Sequence, residues 1–468
     1  MVQYSDFDRV MEAKDHFKNK ANPKSLTVSI FLFLFVVNAF GQVMTTIGQM
    51  TKEQIIQDID VLFSTIEEVH PNMYAVYPKE QLDKDIERVK SELEPIGDIF
   101  YFYKQVIPFV VKLGDGHTTV APPFHPNLIL FPIDVKVTYP DRVIRVQNDY
   151  TQTIPIDAQI MSINNRQAND IVQEMLKYVS GEKDFFRIKG VNDHFMLRMY
   201  SLYRDSIFDI EYIFNQEKYS VQVKGLTSKD ISEKYLQQYK PVSLVKYAFS
   251  ILSDKNIGII EFNSFMDMDR FKVFLDTTFQ VLKRENIGNL IIDIRQNGGG
   301  ITSLGDELFQ YISPVPFRQF GKTIVKYSDI QKQAYKTNYD KEVTNPNGIE
   351  IVENEKLIEL RDNDLRYKGK VFLLTSHYTF SAAASFSWAF KYFNMGTVIG
   401  EETGGMAVSF GEIISHVLPN SRFLCSISHK KFYHYGATDD NIHGTLPDYE
   451  VEAENALEFT MDLITREK

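Results

Sequence analysis

Ser381 heads the Ala-rich run Ser381-Ala-Ala-Ala-Ser385, directly after a polar turn at 375–380. A hydroxyl at a helix N-terminus sits where unpaired backbone N–H groups and the helix dipole favour developing negative charge. That suits an attacking alkoxide and its oxyanion product. Serine is also an ordinary helix cap, so a purely structural reading stands beside the chemical one. The second stretch is Asn297-Gly298-Gly299-Gly300, which follows the apolar run at 290–294. Three glycines at a strand-to-helix crossover carry a conformational-entropy cost, so the loop needs positive φ or close approach of bare backbone to a ligand. The spacing matches neither the dinucleotide nor the P-loop glycine pattern. An oxyanion hole built from backbone N–H groups fits better. The third is His117, in the turn Leu113-Gly-Asp-Gly-His-Thr118. A neutral imidazole can take a hydroxyl proton at neutral pH, and a histidine at an element boundary can equally be a structural hydrogen-bonder.

The elements around these residues follow from hydrophobic period. Ile55, Ile59, Leu62, Phe63 and Ile66 share one helical face behind a Thr51/Gln54 capping box, and two more amphipathic helices follow at about 79–93 and 99–110. The Pro-rich stretch 121–126 reads as a linker, and 128–225 reads as a compact α+β module. Its strand, Asn164-Asn165 turn and helix resemble a PDZ-like domain, which adds a peptide as an extra strand. From about residue 246, strands at 257–262, 290–294 and 371–374 alternate with helices, which implies a largely parallel sheet covered on both faces. Residues 316–367 are polar and read as an insertion, a candidate lid.

Composition narrows the function classes. With 468 residues, 44% of them hydrophobic, the chain has material for two or three domains. A net charge of −11 argues against a nucleic-acid partner, because phosphate contacts need a basic face. A single cysteine, Cys425, rules out an intrachain disulfide framework and any CxxC site, and no HExxH motif occurs. No metal site and no cofactor is expected.

Lys14, Lys18, Lys20 and Lys24 precede an apolar run at 26–40 that ends in Ala39-Phe40-Gly41. This is the pattern of a secretory signal over residues 1–41, or of a membrane anchor through residues 26–40. An exported protein is expected: periplasmic, extracellular or membrane-anchored.

The blocks at 115–118 (DGHT), 291–300 (IIDIRQNGGG), 375–385 (TSHYTFSAAAS), 398–405 (VIGEETGG) and 446–451 (LPDYEV) occur in the order of the C-terminal-processing (tail-specific) peptidases. The chain resembles this family of serine peptidases from His70 to its end. The resemblance implies an α/β fold with a crotonase-like (ClpP/crotonase) catalytic core over 240–468, an N-terminal helical domain over 51–120 and a PDZ-like insert over 128–225. It implies cleavage of peptide bonds through an acyl-serine on Ser381, with oxyanion donors at the N–H groups of Gly299 and Ala382. Many members use a lysine as base, and Met406 stands at that position here. No lysine occurs between Lys391 and Lys430. The tricorn-like branch uses a histidine instead, which corresponds to His117. Its supporting acid falls in Asp439-Asp440-Asn441, with Asp440 the choice. His443 is a rival base, and Ser376 or His377 could line the pocket. The expected partner is a peptide or unfolded protein. A catalytically inactive member binding peptides or apolar ligands is the alternative, and an enzyme acting on coenzyme A thioesters is a third reading resting on the glycine loop alone.

Overall fold

The computed structural model describes residues 48–238 and 245–466; the expected signal or anchor at 1–41 lies outside them. Helix α1 (Lys52–Val69) opens on the capping box, with Thr51 Oγ1 accepting from Gln54 N–H and Gln54 Oε1 from Thr51 N–H. Its apolar face is buried with those of α2 (Lys79–Glu92) and α3 (Ile99–Val111). The chain then enters a β-rich segment. Strands β1 (Ile133–Val137), β2 (Ile144–Asp149), β3 (Gln159–Ile163), β4 (Ile207–Phe214) and β5 (Glu217–Lys224) form an antiparallel sheet in the order β5-β4-β3-β2-β1, so β1 is an edge. Helices α4 (Ala168–Leu176), α5 (Asp184–Asp193) and α6 (Phe195–Tyr203) fill the β3–β4 connection, and α7 (Ser228–Gln238) follows β5.

The catalytic-candidate region is built on a second sheet. β6 (Tyr247–Leu252) pairs antiparallel with β7 (Ile257–Phe262), and β8 (Asn289–Asp293), β11 (Lys370–Thr375), β12 (Thr397–Gly400) and β15 (Tyr449–Glu450) continue it in parallel. The unbroken apolar runs of these strands are explained by burial on both faces. Ile260, Leu290, Ile292 and Leu373 face a core shared with α8 (Met268–Arg284), α9 (Ser303–Ile312) and α11 (Ala382–Tyr392), while Ile259, Ile291, Phe372 and Leu374 face α12 (Ala456–Arg466). On α11, Phe386 stacks on Phe309 of α9 at 4.4 Å between ring centroids. Each such buried aromatic contributes roughly 1.5–3 kcal/mol.

A third sheet closes the site from the other side. β9 (Phe320–Tyr327), β10 (Gly348–Glu353), β13 (Val408–Val417) and β14 (Leu424–His434) run in the order β10-β9-β14-β13. Residues 316–367 therefore do more than cover: with α10 (Asp329–Tyr339) they add two strands to this sheet. Thr119 and Val120 also pair with β14, opposite Ser426 and Cys425. That short ladder joins the end of the helical region to a strand some three hundred residues later and positions the Asp115–His117 turn.

Candidate active site

Ser381 lies at φ +52°, ψ −126°, outside the helical region, and α11 starts at the next residue. A non-glycine residue held there is strained by about 1–3 kcal/mol and persists only where its surroundings impose it. Ser381 makes no side-chain capping bond to its own helix. The hydroxyl is thus not engaged as a cap, which removes the structural reading left open by the sequence. Ala382, as the first helical residue, has an N–H with no partner one turn earlier.

The glycine loop is laced to this turn. Phe380 N–H donates to Asn297 O at 3.1 Å, Thr379 Oγ1 to Ile294 O at 3.1 Å and Ser376 Oγ to Arg295 O at 2.5 Å. Asn297, fully buried, donates through Nδ2 to Phe262 O at 2.7 Å. Gly299 sits at φ +103°, and a Cβ there would lie 2.8 Å from Ser381 Cβ and 2.9 Å from Ala382 N. Only glycine allows this approach. The Gly299 N–H, however, donates to Asn297 Oδ1 at 2.9 Å, so this expected oxyanion donor is already engaged, whereas the Ala382 N–H has no partner among the described residues. Asp293, at the end of β8, forms a bidentate pair with Arg295 (2.9 and 2.6 Å) and is structural.

His117 reaches the same place. Its ring stacks on Phe380 at 4.5 Å between centroids, and its Cε1 comes within 3.6 Å of where a Cβ of Gly411 would be. The side chain is 14% exposed, and neither ring nitrogen has a hydrogen-bond partner among the described residues, Ser381 Oγ included. Catalytic hydrogen bonds are commonly loose without substrate. Burial disfavours the imidazolium and lowers the His117 pKa, with the Asp115 charge and the Phe410 backbone opposing.

The expected third residue is a correction. Asp440 is exposed, and its carboxylate makes no hydrogen bond or ion pair among the described residues. Its neighbour Asp439 is drawn to Lys431 and Tyr433, both at 2.9 Å, and Asn441 folds back on Thr438. The carboxylate beside His117 is Asp115, whose Oδ1 lies 3.9 Å from Nδ1 and accepts the His117 backbone N–H at 2.8 Å. Asp115 is fully buried. An Asp two residues before a turn histidine is a local pattern, and it was the signal available in the sequence. Glu182, not singled out by the sequence, also faces this turn: its Oε2 lies 2.9 Å from a Cβ built on Gly116.

The remaining candidates are engaged elsewhere. His443 Nδ1 pairs with Gly444 O at 2.7 Å and its ring lies by Trp388. His377 Nδ1 pairs with Glu402 O at 3.0 Å, and its ring stacks on Phe185 at 4.2 Å. Met406 is buried, next to Gly405, whose backbone packs under Ser381. From α5, Phe186 stacks on Phe380 at 4.2 Å, so the β-rich segment touches the turn that carries Ser381. Among the described residues, no group of three His, Cys, Asp or Glu side chains could hold a metal, and no helix is long and apolar enough to cross a membrane.

Residues 256–451, which hold the parallel sheet, the glycine loop and the Ser381 turn, match the model of peptidase family S41. That part of the chain is similar to the S41 peptidases. A comparison with curated proteins gives no significant match. Among solved structures, mature CPAF superposes with a TM-score of 0.60 at 13% identity, over 89% of this chain and 98% of that one. Mature CPAF complexed with lactacystin gives 0.60 at 13%, over 89% and 97%. The photosystem II D1 C-terminal processing protease gives 0.43 at 13%, over 89% and 98%. At these identities the CPAF likeness shows a shared fold alone, over most of the chain, the helical region and β-rich segment included.

Proposed function

We propose that this chain is an S41 serine peptidase, an exported endopeptidase of the tricorn-like branch, cleaving peptide bonds through an acyl-serine. In this reading residues 240–468 are a crotonase-like core, the β-rich segment is a PDZ-like insert, and residues 1–41 direct export or anchor the chain. His117 Nε2 takes the Ser381 Oγ proton as Oγ attacks the substrate carbonyl. The negative oxygen of the tetrahedral intermediate meets the Ala382 N–H at the positive end of α11 and the backbone of the glycine loop. His117 then returns the proton to the leaving amine, and water repeats the sequence to release the acyl group. General-base assistance of this kind contributes about 10²- to 10⁴-fold. Met406 plays no part in proton transfer, since a thioether is a poor base, and the reading calls for no metal or cofactor.

The observation that carries the proposal is the pairing of Thr119–Val120 with β14, which places an otherwise unpartnered imidazole against the residue preceding a strained, uncapped serine. The experiment compares wild type with S381A and H117A on unstructured peptides, together with fluorophosphonate labelling. Wild type should cleave and be labelled at Ser381, and both variants should lose at least 10²-fold. The second reading, an inactive binder, draws on the missing bond between His117 and Ser381 Oγ. A wild-type chain that resists the fluorophosphonate would favour it.

A further inference from the structure

We propose that Asp115 is the positioning residue that orients His117, held in turn by His70 and Ser428, and that no carboxylate of the 439–441 turn takes this part. The inference rests on the Ser381/His117 reading above. It assigns the third member of the group to the same turn that supplies the base.

Three donors converge on the Asp115 carboxylate. His117 N–H reaches Oδ1 at 2.8 Å, Ser428 Oγ–H reaches Oδ2 at 2.6 Å, and His70 Nε2 lies 3.3 Å from Oδ2. The His70 tautomer is set by Asn72, whose N–H donates to Nδ1 at 3.1 Å and leaves the proton on Nε2, facing Asp115. His70 ends α1 and packs on the Phe410 ring at 4.3 Å, and its carbonyl accepts from Lys326 Nζ at 3.0 Å. Ser428 lies on β14, where its N–H also donates to Thr118 Oγ1 at 3.1 Å. The carboxylate is thus fixed by the helical region, by its own turn and by the third sheet. A buried carboxylate with several donors is stabilised as the anion, and Asp115 is held well below the usual carboxylate range by His70, His117 and Ser428 against the opposing effect of burial.

His117 has the complementary need. Both of its nitrogens are buried and without a hydrogen-bond partner among the described residues, and the 3.9 Å between Nδ1 and Oδ1 exceeds a hydrogen bond by about 1 Å. A small turn of the ring in its slot closes that gap. With Nδ1–H on Asp115, the Nε2 lone pair is free to accept the Ser381 proton. The imidazolium formed in that step is stabilised by the Asp115 charge, which keeps its own proton count unchanged. The other carboxyl at this turn cannot substitute. Glu182 has both oxygens buried without a hydrogen bond, and burial beside the Asp115 charge pushes it up to about 8, so it is neutral at pH 7. Among the described residues, Asp115, Glu182 and, behind Asp115, His70 are titratable groups at this turn.

The test follows fluorophosphonate labelling of Ser381 against pH in wild type, D115N, S428A and H70Q. D115N keeps the shape of the carboxylate and should label about 10²- to 10⁴-fold more slowly at pH 7. Its acid limb should also move to lower pH, because removing a negative charge beside His117 makes the imidazolium less stable; a merely structural residue would leave that limb in place. S428A and H70Q keep the charge and lose one donor each, so a loss of about 2- to 12-fold is expected. If D115N fails to fold, S428A and H70Q carry the test. Wild-type labelling rates and an unmoved acid limb in the folded variants would overturn the inference, while loss of labelling in H117A would leave the Ser381/His117 reading standing. Should wild type itself not label, ring NMR of His117 decides the point without activity: a midpoint equal in S381A and S381A/D115N would also overturn it.

Discussion

Gly299→Ala is the sharpest perturbation of the glycine loop. The added Cβ would stand 2.8 Å from Ser381 Cβ, 2.9 Å from Ala382 N and 2.9 Å from Phe380 O. Two of these three atoms are backbone, so a side-chain rotation cannot relieve the contact. Bringing the first out to an ordinary 3.4 Å moves the nucleophile by about 0.6 Å relative to the loop. A φ of +103° is also foreign to alanine, at about 1–3 kcal/mol. Misplacement by about an ångström costs roughly 10²-fold in rate, and loss of one oxyanion donor costs about as much. We therefore expect G299A to label and cleave about 10²-fold more slowly, with a loss of stability limited to about 1–3 kcal/mol by urea unfolding. Gly298→Ala is the matched control, because nothing lies within 4 Å of its added Cβ and its φ is not positive. It should remain within about twofold of wild type. Equal rates in wild type and G299A, or equal losses in the two variants, would refute the assigned role of the loop.

Three further outcomes are expected. D440A should cleave unstructured peptides within about twofold of wild type, since this carboxylate is exposed and makes no hydrogen bond or ion pair among the described residues; a loss of 10²-fold would restore the sequence-based triad. The wild-type acid limb should lie below the ordinary imidazole value of 6.5, because burial lowers the His117 pKa; a limb at or above 6.5 would contradict it. For E182Q the sign follows from a folded-state pKa of about 8 against 4.5 for the free carboxyl. Between these values the unfolded chain gives up a proton that the folded chain keeps, so wild-type stability falls as pH rises through this window. E182Q removes that slope, and its advantage should grow by up to roughly 4 kcal/mol from pH 5 to pH 8.5 in urea unfolding; an unchanging difference would show that Glu182 is not buried as described.

The candidate residues whose signal is a local geometry were legible in the chain alone. A serine starting a small-residue helix, three glycines after an apolar strand and a histidine in a tight turn each carry a local signal, and the strand and helix periods placed them on the right kinds of element. The α1 capping box is equally local and is present as expected. What the chain could not specify depends on pairings between distant segments. Whether the Ser381 hydroxyl would be engaged as a cap turned on a backbone angle imposed by the Asn297 loop. Residues 316–367 looked polar because β10 is an edge strand exposed on both faces, yet they complete a sheet. The contact of Phe186 with Phe380 joins two segments nearly two hundred residues apart. The acid behind His117 is the clearest case: Asp440 and Asp115 are the same residue type, and only the ladder from Thr119–Val120 to β14 buries one among His70, Ser428 and His117 while leaving the other in solvent. Charge and hydrogen-bonding capacity belong to the residue, but desolvation belongs to the fold, and desolvation decides which carboxylate matters.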